Sequence, residues 1–101
     1  MTYFAVTRAR GEWWDKSISM RKQKRWNDHN LFMEQLADEG FVVLGGPLGH
    51  DEERFLLVVE AESEQAIRAR FDKDPWSEMK LMRLAKIEPW EILLRKPEKS
   101  D

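Results

Sequence analysis

Glu39-Gly40-Phe41-Val42-Val43-Leu44-Gly45-Gly46-Pro47-Leu48-Gly49 leads through a charged turn, His50 to Arg54, into Phe55-Leu56-Leu57-Val58-Val59. Two apolar runs rich in β-branched and aromatic residues, separated by turn-forming residues, spell a β-hairpin. Gly40 stands where a preceding helix would end in a left-handed residue. Upstream of it, Trp26, Phe32, Met33 and Leu36 recur at helical spacing, which predicts a first helix from about Met20 to Glu39. Still further upstream, Tyr3-Phe4-Ala5-Val6-Thr7 reads as a first strand ending in the polar run Arg8-Ala9-Arg10-Gly11. Downstream of the hairpin, Ser63 can cap a second helix whose Ala66, Ile67, Arg70 and Phe71 share a face and which should stop before Pro75. The last strand region spans Leu81–Leu94; Pro89 cannot donate to a ladder, so two pieces are expected, Leu81–Ile87 and Trp90–Leu94. The order strand, helix, strand, strand, helix, strand matches the ferredoxin-like βαββαβ pattern of α+β folds: a four-stranded antiparallel sheet with two helices on one face.

The strand runs are apolar at both parities, whereas a sheet wet on one side should alternate. Two helices cover one face only, so the other needs a second layer, most simply a copy of the same sheet. A homodimer is expected. In each of the pairs Val43/Leu44 and Leu57/Val58, one residue should face the helices and the other the partner.

The rest of the composition narrows the function. With 42% hydrophobic and 36% charged residues in 101, the chain can order itself as one domain over residues 1–95, with a disordered tail over 96–101. Seventeen basic against nineteen acidic side chains leave a charge of −2, which implies no general attraction to nucleic acid or anionic membrane. The absence of cysteine removes disulfides, thiolate metal sites and thiol nucleophiles. Residues Met1–Val6 show neither a basic nor a long apolar leader pattern, and no stretch approaches a membrane span, so a cytoplasmic location is expected.

His29 lies three residues after Trp26 and four before Met33, on the apolar stripe of the first helix. Histidine changes charge nearest neutral pH, and a carboxylate on its second nitrogen would fix the tautomer. The plain alternative is a packed ring satisfied by a backbone carbonyl. Asp74 precedes Pro75, which biases its backbone toward an extended shape and restricts its carboxylate; Asp followed by Pro is equally an ordinary helix start, and one oxygen can cap while the other accepts from His29. Gly45-Gly46-Pro47-Leu48-Gly49 lacks the Gly-Lys-Ser/Thr of a phosphate loop and reads as a strand end needing close backbone approach, by a ligand or by a neighbouring strand. Arg21, Lys22, Lys24 and Arg25 form a basic cluster near a helix start, best read as a solvated face, with an anionic ligand as the sharper alternative. His29 and His50 fall on different elements with no His-Glu-x-x-His, so neither a metal nor a cofactor is expected.

Taken together, Tyr3-Phe4-Ala5-Val6, His29 with Phe32, the run Glu39–Leu48, Asp74-Pro75-Trp76 and Pro89-Trp90 resemble the YCII-like family across nearly the whole chain. The resemblance implies a dimeric α+β barrel in which a helix-one histidine and the aspartate of an Asp-Pro motif face a pocket as a catalytic pair. Those roles map onto His29 and Asp74. One branch of the family eliminates chloride from a hydroxylated aromatic ring. A longer segment, Gly11–Arg25, sets this chain apart from the shortest members and bears on the pocket's shape. The expected function is a cofactor-free lyase or isomerase acting on a small polar or aromatic molecule, with Trp26, Gly46, Pro47 and Trp76 as pocket residues. The alternative is a non-catalytic module holding a metabolite in the same pocket. A third possibility comes from the wider barrel superfamily, where some members bind haem: His29 would then be an axial ligand.

Overall fold

The computed structural model describes residues 1–97. Strand β1 (Thr2–Arg10) is followed by a 3-10 turn at Met20–Lys22, helix α1 (Trp26–Asp38), and the hairpin β2 (Val42–Leu48) and β3 (Arg54–Ala61). Helix α2 (Glu64–Phe71), a short helix α3 (Pro75–Glu78) and strand β4 (Met82–Pro89) complete the chain. The strands lie in the order β2-β3-β1-β4 and every neighbouring pair is antiparallel. This is the ferredoxin-like α+β arrangement, with helices on one face of the sheet.

Alternation along β1 sends Phe4, Val6 and Arg8 inward, opposite Val59, Leu57 and Phe55 of β3. These side chains meet Leu36 of α1 and Ile67 and Phe71 of α2 in the main core. A second cluster, Trp14, Met20, Phe55, Trp76, Leu81 and Met82, fills the other end. Ser63 caps α2 as expected, its hydroxyl accepting from the Ala66 amide at 3.1 Å. Gly40, at φ +82°, ends α1 in the left-handed region.

Three boundaries are corrected. The first helix does not run from Met20: the Gln23 side chain donates to the Asp15 and Ile18 carbonyls, and Arg25 is left-handed at φ 59°, so the helix opens at Trp26. The first strand does not stop at Thr7 but runs to Arg10, because the charge of Arg8 is answered inside the fold. Gly45 to Leu48 form the end of β2 as expected, and of the two approaches left open there the one at Gly45 is to the neighbouring strand, since a Cβ on Gly45 would collide with the Leu57 side chain. Trp90–Leu94 is not a strand; β4 ends at Pro89, and the Trp90 amide donates to the Tyr3 carbonyl at 2.8 Å. The tail expected to be disordered lies, for residues 98–101, outside the described residues.

The opposite face of the sheet carries Ala5, Thr7, Leu56 and Val58, extended across β2 by Leu44. An extra residue in β2, Val43, bulges between the pairs Val42↔Val59 and Leu44↔Val58. The Val43/Leu44 pair therefore does not divide between core and outer face as expected: both are exposed, Leu44 at 64%. Leu57 and Val58 point to opposite faces of the sheet, Leu57 toward the helices, while Val58 is only 7% exposed within the single chain. No helix among the described residues is long and apolar enough to cross a membrane.

Candidate functional site

The site forms where the two core clusters meet. Proline after Asp74 holds its backbone extended, at φ −66° and ψ 127°, and starts α3 with Asp74 as the N-cap. Oδ1 accepts from the Trp76 amide at 2.9 Å. His29, one turn into α1, brings Nδ1 to 2.8 Å from Oδ2 and 3.0 Å from Oδ1. From β1, Arg8 Nη1 donates to Oδ2 at 2.7 Å, while Nη2 donates to the Ser77 hydroxyl at 3.0 Å. Asp74 is 0% exposed and Arg8 1%. One carboxylate thus caps a helix, orients an imidazole and neutralises a buried guanidinium.

An ionised carboxylate only accepts, so Nδ1 of His29 is the donor and the neutral ring presents a lone pair at Nε2. Among the described residues Nε2 has no hydrogen-bond partner, and it is not sealed from solvent. The Trp76 indole stacks on the imidazole, with 3.9 Å between centroids and 5° between planes. Trp76 is itself tied by Nε1 to the Lys24 carbonyl at 2.7 Å and braced edge-on by Trp14. The ring is therefore fixed along one edge and across one face.

In front of His29 lies a cavity of about 190 Å³. Its walls include Met20, Met33, Met82, Trp26 and Phe55, and its polar groups are His29, Asn30 and Arg8. Gly46 and Pro47 also line it; a Cβ on Gly46 would meet nothing within 4 Å, so that side is open. Trp76, expected as a wall, is instead fully buried behind the imidazole and acts on the cavity only through His29. The Gly11–Arg25 segment supplies the Met20 wall, held by its amide to Glu52 Oε1 at 2.9 Å, and the Trp14 brace. A larger groove of about 530 Å³ lies at the other end of β1, among Glu39, Phe41, Glu60, Glu62 and Arg70, and holds no histidine. Among the described residues no three His, Asp or Glu side chains are grouped to hold a metal ion.

Arg8 is the residue the sequence reading missed. Its signal was parity: Phe4, Val6 and Arg8 share one strand face, so a guanidinium on the core side needed a buried acid.

Burial alone would raise the Asp74 carboxyl, but the His29 hydrogen bond and the Arg8 charge outweigh it, and the carboxyl is held below its ordinary value. Its ionised form therefore favours the folded state. That stabilisation is complete above about pH 4, the ordinary range of an unfolded carboxyl, and is lost as pH falls below it toward the lowered folded value. Urea midpoints measured from about pH 6 down to pH 2 should fall more steeply for the wild type than for Asp74→Asn, which has no carboxyl to protonate. Parallel curves would show that this carboxylate does not govern the acid limb.

No known family profile matches the chain, and no curated protein matches it by sequence. Among solved structures, the 5-chloro-2-hydroxyhydroquinone dehydrochlorinase of Burkholderia phenoliruptrix, in complex with 2,5-dihydroxybenzoquinone, superposes with a TM-score of 0.65. The match covers 88% of this chain and 93% of the other at 23% identity, and it shows a shared fold.

Proposed function

We propose that the His29 cavity is the active site of a lyase- or isomerase-type enzyme of the YCII-like family, moving a proton on a small ring-bearing molecule without metal or cofactor. The observation that carries this reading is the imidazole itself: Nδ1 is fixed on a buried carboxylate, Nε2 has no partner among the described residues, and His29 lines a mostly apolar cavity. Nε2 takes a proton from carbon or hydroxyl, and Asp74 steadies the imidazolium that results. The volume supports a single ring, since an apolar cavity of about 150 Å³ accommodates benzene. Thioethers of Met20, Met33 and Met82 suit the edges of a flat ring. The dehydrochlorinase with the same fold acts on such a ring, which supports elimination as the reaction type. A haem does not fit: a tetrapyrrole is far larger than this cavity. The test is product formation in a screen of hydroxylated and halogenated single-ring aromatics; binding without turnover across that screen would favour a metabolite-holding module.

The working unit in this reading is a homodimer joined sheet to sheet over Val43, Leu44 and Leu56. Obligate interfaces of this kind bury on the order of 2,000 Å² or more. Sedimentation should give twice the chain mass at micromolar concentration. Leu44→Glu should yield a folded monomer, whereas Leu57→Glu, which puts a charge into the core, should unfold the chain. A wild type that sediments as a folded monomer would remove the dimer from the account.

A further inference from the structure

The Gly11–Arg25 segment supplies one wall of the cavity from a stretch with little anchorage of its own. Across residues 15–22 Met20 alone is buried. The Gln23 side chain is taken up by carbonyls of the same segment, those of Asp15 and Ile18. Among the described residues, the one hydrogen bond from residues 15–22 to anything outside the segment runs from the Met20 amide to Glu52 Oε1, at 2.9 Å. Ser19 gives the 3-10 turn no side-chain cap, so Glu52, 32 residues on, satisfies the first amide of the turn in its place. Resting on the reading of the His29 cavity as the ligand site, we propose that Glu52 is a positioning residue which, by holding Met20 against the cavity, confines the site to ligands with a single ring.

Glu52 is itself held where it can do this. It is half-buried at the hairpin tip with φ 55°, a left-handed backbone uncommon for any residue but glycine. Strain of that kind persists only where the surroundings enforce it. Here Arg10 does so, Nε donating to the Glu52 carbonyl at 2.8 Å and Nη2 to the Asp51 carbonyl. Both contacts are to main chain, so the tip stays in place whichever side chain residue 52 carries, and a substitution there removes the bond to Met20. Every other residue of the cavity lining stands on a strand or on α1; Met20 stands on a single 3-10 turn. Its unbranched thioether bends readily to fill or vacate space, so its place as a wall depends on where the backbone is held.

Phenol and 2-naphthol, which differ by one fused ring, are suitable probes. An unrestricted apolar pocket would favour the naphthol for its larger apolar surface; wild-type protein should nonetheless bind phenol more tightly in calorimetry. Glu52→Gly, which suits the left-handed backbone and removes the carboxylate, should lower that preference by on the order of tenfold or more, the scale on which an apolar pocket separates ligands by size. Glu52→Gln, whose side-chain oxygen can still accept from the Met20 amide, should keep the wild-type preference. Met20→Ala should lower it as Glu52→Gly does, and adding Glu52→Gly to Met20→Ala should change nothing further. In the unliganded protein, deuterium exchange at the Met20 amide should quicken in Glu52→Gly and return to the wild-type rate in Glu52→Gln. Unchanged exchange or an unchanged preference in Glu52→Gly would overturn the role given to Glu52 while leaving the cavity as the ligand site. So would a wild type that takes 2-naphthol as tightly as phenol, its second ring passing the open side at Gly46. If neither probe binds wild type, the single-ring reading of the cavity falls, and this specificity with it.

Discussion

Replacing His29 by alanine is expected to lower turnover by about 10²–10⁴-fold, the usual worth of a positioned proton-transfer group. The chain should still fold. In this variant Asp74 keeps Arg8 and the Trp76 amide, so no buried charge is left without a partner. The proposed dimer should persist as well, because His29 lies on the helix side of the sheet and not on the face of Leu44 and Leu56. Binding should weaken far less than turnover, since the walls from Trp26, Phe55 and the three methionines are untouched. Steady-state kinetics on a substrate found by screening makes the comparison. Unchanged turnover with intact binding would show that His29 is not the base, and the cavity would then be better described as a metabolite-holding site.

What the sequence disclosed follows from how local each signal is. The hairpin, the Ser63 cap and Gly40 rest on contacts within a few residues, and all three stand in the structure. The meeting of His29 with Asp74 spans 45 residues, and spacing alone left each with a plain structural alternative. The structure brings them within hydrogen-bond reach while Asp74 also caps α3. Arg8 was hidden for a different reason. A polar run after an apolar strand reads as a strand end, and only a tertiary partner 66 residues away makes an inward arginine tolerable. The late start of α1 depends likewise on the Gln23 side chain reaching back to Asp15 and Ile18, a contact no periodicity reveals. Trp76 could be placed near the pair from its sequence neighbourhood, but not on the rear of the imidazole.

The effect of removing Asp74 should fall on stability before it falls on chemistry. Asp74→Ala strands the Arg8 guanidinium, 1% exposed, with no acid in contact, and breaking such a buried pair from one side costs about 3–5 kcal/mol. Loss of the helix cap adds about 1 kcal/mol. Against a total of about 5–15 kcal/mol for a domain, that sum leaves the variant barely folded or unfolded. Asp74→Asn should sit between, because its side-chain oxygen can still accept from the Trp76 amide and from Nδ1 of His29 while the charge that answered Arg8 is gone. The informative partner is the double variant Arg8→Met with Asp74→Asn, which removes both charges and keeps the cap. If the cost lies in an unanswered buried charge, the double variant should be more stable than Asp74→Asn alone despite carrying one more substitution. Urea unfolding midpoints at neutral pH give the order directly: wild type and the double variant highest, Asp74→Asn lower, Asp74→Ala lowest. A double variant no better than Asp74→Asn would mean that Arg8 is held by more than its carboxylate, with the Ser77 hydroxyl and the Phe71 ring 4.9 Å beneath its guanidinium carrying the load.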